Sequence, residues 1–275
     1  RWLVTGRPKV VLLNPENVFN RLDSIKKRLN VDHGIDSQLE NDLLEKMFLW
    51  ADLNSTFFNL LAKNHLKKTE SLIAHFHEWM ACIPILDIRK QKLNCKTVFT
   101  THATMLGRYL AMNDSDFYNK LPEYDWEKEA KHYDILPMAQ IERKGAEYSD
   151  SFTTVSQVTG LECEFLLGVK PDVITPNGLN IKRFSAYHEV QIKHQMFKEE
   201  IHQFVIGHFF HSYDFDLDDT LYFFTSGRYE YKNKGFDLTL DALKLLNSMM
   251  LKEKIKTTVV MFFITKQPTW SINPD

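Results

Sequence analysis

The strongest constraint on the fold is an alternation of strand-like and helix-like segments from residue 70 onward. Short runs rich in β-branched and aromatic residues, such as "SLIAHFH" and "KTVFTTHA", each precede a segment with apolar residues at helical intervals. A second strand–helix–strand pattern runs from "TLYFFTSG" at residue 220 to "TTVVMFFI" at residue 257. This order predicts right-handed crossovers and parallel sheets covered by helices, and therefore an α/β fold.

The two patterns are separated by a polar stretch, which we interpret as a crossover rather than a flexible linker. Residues 179–219 show helical spacing and no bias toward Ser, Gly or Pro. We predict an N-terminal domain over 1–178, interdomain crossover helices over 179–219 and the start of a C-terminal domain over 220–275. The chain begins at Arg1 and ends soon after a strand, so we expect an internal piece of a longer polypeptide.

A long amphipathic helix is predicted upstream, within residues 38–64. Its apolar residues recur at helical spacing, and we expect the face that they form to pack in the core. That face consists of Leu39, Leu43, Met47, Trp50, Phe57 and Leu61.

Charge and cysteine content limit the classes of partner. A net charge of −2 provides no general attraction to nucleic acid or to an anionic membrane. Cys82, Cys95 and Cys163 contain no C-x-x-C pair, which argues against a disulfide framework and a zinc cluster and favours a reducing cytoplasm. The apolar runs are far shorter than the roughly 20 residues of a membrane helix, and no signal peptide is visible.

Polar and cationic side chains follow the predicted strands. In an open parallel sheet, ligands bind beyond the carboxyl ends of the strands, so we expect these side chains to share one rim. They are His75, His77, Glu78, His102, Arg108, Asn177, Arg228 and Lys234.

Arg228 and Lys234 lie in the turn "GRYEYKNKG", ahead of a predicted helix. A guanidinium and an ammonium match phosphate oxygens, and Gly235 would let the backbone approach an anion at the helix N-terminus. A diphosphate site and a solvated basic loop are the two interpretations that this motif leaves open.

His77 and His102 occupy equivalent positions in neighbouring strand–helix turns. Either one alone is commonly a structural histidine bonded to a backbone carbonyl. As a pair, they favour hydrogen bonding to a sugar hydroxyl or a diphosphate. Neither has the spaced carboxylate or cysteine partners of a zinc site, so no metal is predicted.

A polar stripe is predicted on a helix within 187–200. Its residues recur at intervals of three, three and four, which puts them on one face, with Glu189 beside them. Spacing alone favours a solvated surface, and a phosphate-binding face is the alternative. The stripe consists of His188, Gln191, His194 and Lys198.

Several motifs together resemble the eukaryotic glycogen synthases. They are "AHFHEW", "FTTHATMLGRYL", "FTTVSQVT", "KPDVITPNGLNIKRFSAYHE" and "TLYFFTSGRYEYKNKGFD", in the order and spacing of that family. The resemblance implies a GT-B glycosyltransferase fold of two Rossmann-like domains with parallel sheets, both incomplete here. It implies transfer of glucose from UDP-glucose to the non-reducing end of an α-1,4-glucan with retention, under activation by glucose 6-phosphate.

The resemblance also implies roles for the cationic residues. His102 and Arg108 match family residues that contact UDP-glucose, and Arg228 and Lys234 match the pair that binds its diphosphate. Fixed cations there would stabilise the charge that develops on the leaving group, so neither a metal nor a cofactor is implied.

Further residues match the catalytic and regulatory sites of the family. His77 matches a position near the glucose pocket, and Asn177 lies in the family's "PNG" turn at the cleft; we take both as catalytic candidates. The polar stripe matches half of the glucose 6-phosphate site, which replaces the solvated-surface interpretation. This allosteric set is His188, Glu189, Gln191, His194 and Lys198.

The sequence departs from the family at two positions of interest. Cys82 replaces a glycine, and Phe236 replaces a small residue, where a phenylalanine could crowd the diphosphate turn. The family's glycine-rich loop and glutamate motif lie outside 1–275, so we expect this piece alone to be inactive.

The partners implied by the resemblance are UDP-glucose, glycogen, glucose 6-phosphate, glycogenin and further copies of the chain in a homo-oligomer. Two alternative functions remain open at this point. One is a truncated or diverged relative that binds or regulates without catalysis, and the other is a GT-B transferase that uses a different nucleotide sugar.

Overall fold

The computed structural model divides the chain into two compact units, Arg1–Asn177 and Gly178–Asp275. Both units contain helices and parallel strands, so the predicted α/β fold with parallel sheets is confirmed. The assignment of three segments to two GT-B domains and a crossover stays a prediction. The structure describes residues 8–64, 70–179, 181 and 187–266.

The described part of the first unit alternates strands and helices after a helical N-terminal region. The strands are β1 (Leu72–His77), β2 (Cys95–Thr101), β3 (Ser151–Thr154) and β4 (Val173–Ile174). The α-helices are α1 (Leu22–His33), α2 (Asp42–Asn64), α3 (Trp79–Lys90), α4 (Met105–Asn113), α5 (Trp126–His132), α6 (Leu136–Tyr148) and α7 (Gln157–Glu162). Short 3₁₀ helices span Pro15–Arg21 and Leu121–Glu123, and a π-helical turn spans Cys163–Leu167.

The four strands form a parallel sheet in the order β1-β2-β3-β4. The register pairs His77 with Thr100 and Thr100 with Thr153. Because all three pairings are parallel, the carboxyl ends of the strands lie at the same edge of the sheet. Gly168 ends the π-helical turn with a left-handed φ of 74°, a common conformation for the glycine that follows a helix.

The second unit contains one long helix and a strand–helix–strand pattern. Its elements are α8 (Tyr187–Phe209), β5 (Thr220–Arg228), α9 (Phe236–Lys252) and β6 (Thr258–Lys266). Strands β5 and β6 are parallel and pair over their whole length, from Thr220 opposite Thr258 to Arg228 opposite Lys266. None of the helices in the described residues has the length and apolar content that a membrane span requires.

Helix α2 buries a different face from the predicted one. Leu43 is 49% exposed, and Met47 packs against the core only in part. The predicted core stripe was therefore wrong by about one position. The residues that α2 does bury are Leu44, Phe48, Leu49, Ala51, Asp52 and Ser55.

Two of those buried positions are polar because they belong to an ion network between helices. The guanidinium of Arg28 on α1 donates to Asp87 on α3 and, at 3.2 Å, to Asp52 on α2. The hydroxyl of Ser55 donates to Asp87 at 2.6 Å. Burial opposes ionisation of Asp87, but hydrogen bonds from His33 and Arg28 still hold its pKa below the ordinary value. A hydrophobic pattern cannot reveal a face whose buried residues are charged and paired.

Cys82, one of the departures from the resembling family, packs where α3 meets α6. Its thiol is fully buried, and the sulfur lies 3.2 and 3.3 Å from the carbonyl oxygens of Trp79 and Ile141, which are two acceptors for its one S–H. Burial, with Glu142 nearby, raises the pKa of the thiol well above its usual range. A Cβ at Gly145 on α6 would lie 2.7 Å from this sulfur. Cys82 therefore fits because residue 145 has no side chain.

We expect Gly145→Ala to destabilise the chain by about 1–3 kcal/mol, because the methyl group overpacks against Cys82. In the Cys82→Gly background the same change should be neutral or stabilising, since alanine favours helix by about 1 kcal/mol. Urea unfolding of the four proteins in this cycle measures the coupling. An equal effect of Gly145→Ala in both backgrounds would contradict the contact.

Candidate functional site

Three imidazoles lie in a row at the carboxyl edge of the first sheet. His75 and His77 belong to β1, and their ring centroids are 4.2 Å apart. His102 follows β2, and its Nε2 lies 3.1 Å from Nδ1 of His77. Nε2 of His75 lies 2.7 Å from the hydroxyl oxygen of Thr100. The structure thus brings His77 and His102 together and adds His75 to the row.

Glu78 connects this histidine row to Arg108. Its backbone has φ 66° and ψ 160°, a conformation nearly restricted to glycine that costs about 1–3 kcal/mol in other residues. Its N–H donates to the carbonyl of Thr100 at 2.9 Å, and its Oε1 accepts from the N–H of His102 at 3.0 Å. Its Oε2 lies 3.4 Å from the guanidinium of Arg108. Backbone strain of this kind is concentrated at functional sites, so Glu78 is a candidate site residue.

Sequence reasoning placed Glu78 at a strand end but assigned it no role. The available signal was a carboxylate directly after His77, with an arginine in the next strand–helix turn. Neither the strained backbone nor the contact with Arg108 can be read from that signal, because both depend on the distance between the ends of β1 and β2.

Two buried carboxylates hold the N-terminus of α4, the helix that carries Arg108. Glu142 accepts from the N–H of Met105 at 2.7 Å, and Glu162 accepts from the hydroxyl of Thr104 at 2.7 Å. Burial raises the pKa of Glu142 to about 7, against the effect of the hydrogen bond from Met105. The N–H groups of Met105 and Gly107 are therefore bonded inside the protein, and the guanidinium of Arg108 is 40% exposed.

Histidine 77 is surrounded by groups that disfavour its cationic form. Burial lowers its pKa, and the neighbouring imidazoles of His75 and His102 lower it further, while Glu78 acts in the opposite direction. At neutral pH the ring is therefore a neutral hydrogen-bonding group. Such a ring suits a sugar hydroxyl better than a diphosphate.

Asn177, the other catalytic candidate, is not brought to this cluster. It is exposed and lies three residues beyond β4. Among the described residues it makes no hydrogen bond to His77, His102 or Arg108. Its catalytic role stays a prediction.

In the second unit, the turn after β5 holds both predicted cations. Arg228 ends β5, and its guanidinium is 2.8 Å from the carboxylate of Glu230, with 71% of the Arg228 side chain exposed. The stem of Lys234 packs over Gly227, where an added Cβ would lie 3.3 Å from Cδ of the lysine. Gly235 caps α9 with φ 67°. Sequence reasoning missed the Glu230 ion pair, although Glu230 lies only two residues from Arg228.

Phe236 does not crowd this turn, so that expectation was wrong. The side chain is 4% exposed, and its ring packs edge-to-face against Phe263 of β6, with the centroids 5.6 Å apart. Phe236 is the first residue of α9, and its side chain packs against the sheet rather than into the turn after β5.

The predicted allosteric stripe lies on α8, which is helical without interruption from Tyr187 to Phe209. His194 and Lys198 line a hollow of about 720 Å³ between α8 and the β5–β6 sheet. Gln191 and His194 line a smaller hollow of about 410 Å³. Glu189 pairs with Lys193 at 2.5 Å on its own helix. His188 lies on α8, but its side chain is outside the described part of the structure.

Clusters of three or more His, Cys, Asp or Glu side chains suited to a metal ion do not occur among the described residues. The histidine row is consistent with this finding, because its imidazole nitrogens contact one another and Thr100. The prediction that no metal takes part stays untested.

We predict that the ring protons of His77 titrate with a midpoint below about 6.5, the ordinary histidine value. Between the folded and unfolded pKa values the unfolded chain binds the His77 proton more tightly, so the contribution of His77 to the free energy of unfolding should decrease as pH falls through this window, whereas Glu142, whose pKa is raised by burial, acts in the opposite direction. The difference in the free energy of unfolding between the chain and His77→Gln should therefore decrease as pH falls, and His211→Gln is the control for imidazole number. NMR titration and urea unfolding measure the two effects, and a midpoint above 6.5 would contradict the environment described for His77.

Comparison with known proteins identifies the family. A family model described as glycogen synthase matches residues 1–275. The chain is 42% identical over 272 residues to glycogen [starch] synthase of Neurospora crassa, covering 99% of this chain and 38% of the relative. It is 45% identical over 265 residues to glycogen [starch] synthase isoform 2 of Saccharomyces cerevisiae, with 96% and 37% covered. The liver glycogen [starch] synthase of Mus musculus is 42% identical over 273 residues, with 99% and 38% covered.

The chain thus spans about 38% of the length of the curated relatives that it matches. The matched stretch includes the histidine row, Glu78, Arg108 and the turn after β5. The match extends over the whole chain, so the chain belongs to the glycogen synthase family.

Proposed function

We propose that this chain supplies donor-binding residues to an enzyme that transfers glucose from UDP-glucose to the non-reducing end of an α-1,4-glucan with retention of configuration. The observation that carries the proposal is the cluster in which Glu78 bridges the N–H of His102 and the guanidinium of Arg108 beside the His77 ring. Family membership supports the same reaction.

In this proposal the first unit binds the sugar end of the donor. The neutral ring of His77 hydrogen-bonds a glucose hydroxyl, and His102 and Arg108 contact the nucleotide sugar. Glu78 orients both of the latter through its two oxygens. Asn177 is retained as a second catalytic candidate on the basis of its motif alone.

The second unit provides the diphosphate contacts. The charge on the diphosphate grows as UDP departs, so Arg228 and Lys234 stabilise the transition state more than the ground state. The ion pair of Arg228 with Glu230 keeps the guanidinium near the turn, and the high exposure of Arg228 leaves its remaining donors accessible. The proposal needs no metal or cofactor for this step.

Activation by glucose 6-phosphate is assigned to α8. His194 and Lys198 line one hollow, and Gln191 reaches the neighbouring one, which supports a shared ligand. Glu189 and His188 complete the set on the basis of the motif match. The phosphate group of glucose 6-phosphate would accept charge-assisted hydrogen bonds from the ammonium group of Lys198 and from a protonated imidazole.

The remaining assignments concern location and partners. The three described thiols are unpaired, which agrees with a cytoplasmic location. Binding of glycogenin and assembly into a homo-oligomer rest on family membership alone. Glycogen is the acceptor in the proposed reaction.

A chimaera tests the proposed transfer. In it, residues 1–275 replace the matching segment of isoform 2 of the Saccharomyces cerevisiae synthase, and transfer of labelled glucose to glycogen is measured. UDP-glucose should support transfer and ADP-glucose should not. Transfer from ADP-glucose alone would show that the donor is a different nucleotide sugar. A folded chimaera without transfer would favour the alternative that the chain belongs to a non-catalytic relative.

In that chimaera, Arg228→Ala should lower kcat/KM for UDP-glucose roughly 10- to 150-fold, because a charge-assisted contact of about 1.5–3 kcal/mol is lost. Glu230→Gln keeps Arg228 but removes the ion pair that holds its guanidinium near the turn, so it should lower kcat/KM less than Arg228→Ala does. Lys252→Ala, at the far end of α9, is the control for a lost surface cation. Equal kcat/KM values for Arg228→Ala and Lys252→Ala would contradict the diphosphate contact.

His194→Ala in the chimaera should reduce the activation factor produced by glucose 6-phosphate while leaving the rate without effector unchanged. The physical reason is the loss of a phosphate partner on α8. His211→Ala, outside this helix, is the matched control. Full activation of His194→Ala would remove α8 from the effector site.

A further inference from the structure

A buried carboxyl group on α6 bonds to the start of α4, the helix that carries Arg108. Glu142 is fully buried, and both of its hydrogen-bond partners are neutral donors, the hydroxyl of Thr101 and the N–H of Met105, each at 2.7 Å. Within the described residues no cationic side chain forms an ion pair with Glu142, and Arg108 pairs with Glu78 instead. Ionising a buried carboxyl group without such a partner is costly, and burial raises the pKa of Glu142 to about 7. This group therefore changes its protonation state close to neutral pH.

The hydrogen bonds around Glu142 can be completed in both protonation states. The hydroxyl of Thr101 has one proton and two acceptors within reach, Oε1 of Glu142 at 2.7 Å and the carbonyl oxygen of Ala103 at 3.3 Å. When Glu142 is ionised, the Thr101 hydroxyl donates to the carboxylate. When Glu142 is protonated, its own O–H donates to Thr101, whose hydroxyl turns to Ala103, and Oε2 still accepts from the N–H of Met105. Protonation therefore leaves none of these groups without a partner.

Ionisable groups face Glu142 from the elements packed against α6. Glu78 raises the pKa of Glu142, and Arg108 lowers it. Burial raises the pKa of the Cys82 and Cys163 thiols, so both are neutral at neutral pH. Arg108 is thus the one cation in this set. The set consists of Glu78 and Cys82 at the start of α3, Arg108 on α4, Glu162 at the end of α7 and Cys163 in the π-helical turn.

Arg108 connects the charge of Glu142 to a bound anion. The guanidinium of Arg108 favours the ionised form of Glu142. An anion bound to Arg108 offsets this effect and adds negative charge of its own, so the pKa of Glu142 rises when the anion binds. A group whose pKa rises on binding takes up a proton, and by linkage the binding becomes tighter as pH falls through that pKa.

We propose that Glu142 takes up a proton when an anionic nucleotide sugar binds at Arg108, so that this buried carboxyl group adjusts the affinity of the donor site to pH. The identity of the ligand as UDP-glucose rests on the proposed function. Glu142 is a positioning residue, because it is buried away from the ligand and acts through α4. It bonds to the N–H of Met105 in the first turn, and Arg108 follows three residues later on the same helix.

Calorimetry of UDP-glucose binding to the chimaera tests the proposal, since titrations in two buffers of different ionisation enthalpy give the number of protons taken up. The diphosphate of UDP-glucose is esterified at both ends, so it lacks the second phosphate ionisation near pH 6. A rise of the Glu142 pKa from about 7 to about 7.5–8 on binding gives an uptake of about 0.3–0.4 proton at pH 7. The same rise makes binding about 2- to 5-fold tighter at pH 6 than at pH 8.

Glu142→Gln isolates this contribution from that of the nearby histidines. A glutamine amide has the shape of the protonated side chain, so its NH₂ can donate to Thr101 and its oxygen can accept from Met105. The proton uptake at pH 7 should fall by about 0.3–0.4, and the 2- to 5-fold pH dependence that Glu142 contributes should disappear. Glu147→Gln, at an exposed position of the same helix, is the matched control and should keep the full uptake.

Thr101→Val provides a second variant that keeps Glu142 in place. The ionised carboxylate loses a hydrogen-bond donor, which costs more than the neutral form loses, so the pKa of Glu142 should rise further. NMR titration of ¹³C-labelled glutamate carboxyl groups in the 275-residue chain measures this rise, and the Glu142 signal is the one that Glu142→Gln removes. In the chimaera, Thr101→Val should move the maximum of proton uptake to higher pH.

Equal proton uptake in the chimaera and in its Glu142→Gln variant would overturn the proposal. If Glu142→Gln does not fold, as urea unfolding would show, an uptake maximum that Thr101→Val leaves unmoved would overturn it instead. A chimaera that does not bind UDP-glucose at all would refute the proposed function and this inference together. Binding of UDP-glucose without the Glu142-dependent uptake would refute only this inference.

Discussion

The carboxylate of Glu78 joins the ends of two neighbouring strands to the helix that follows the second of them. Its backbone N–H bonds to β2, one carboxylate oxygen accepts from the N–H of His102, and the other lies beside Arg108. These contacts hold a backbone conformation that would otherwise be unfavourable for a residue with a side chain. The positions of His102 and Arg108 depend on them, and His77, the last residue of β1, directly precedes Glu78. These contacts order the side chains without a ligand, as the proposed stabilisation of a transition state requires.

Buried polar groups define the first unit as much as its apolar core does. The carboxylates of Glu142 and Glu162 bond to the start of α4. Asp52 on α2 and Asp87 on α3 connect helices α1, α2 and α3. Burying a charge without partners costs free energy. The stable packing of these helices is therefore the one in which each carboxylate has its hydrogen-bond partners. These networks therefore restrict the positions of α1 to α4 more sharply than non-directional apolar contacts would.

Local patterns were enough to predict β1, β2, β5 and β6, the long helix that became α2 and the placement of His77 and His102 at one edge of the sheet. Strand periodicity can be recognised from neighbouring residues alone. The rule that ligands bind at the carboxyl ends of parallel strands needs, in addition, only the direction of the chain. The turn after β5 was equally accessible, because Gly235 and its two cations lie within eight residues. The functional interpretation of this turn came from its resemblance to a family, since a basic turn by itself has two interpretations.

The sequence by itself determined the α/β class, the order of strands and helices, the residues available at the strand ends and membership of the glycogen synthase family. Only the tertiary structure decided which face of α2 is buried, that Phe236 packs against β6 and that Glu230 pairs with Arg228. It also decided the strained backbone of Glu78. The physical reason is that burial and charge pairing depend on which distant segments meet, whereas periodicity records only the spacing of residues along one segment.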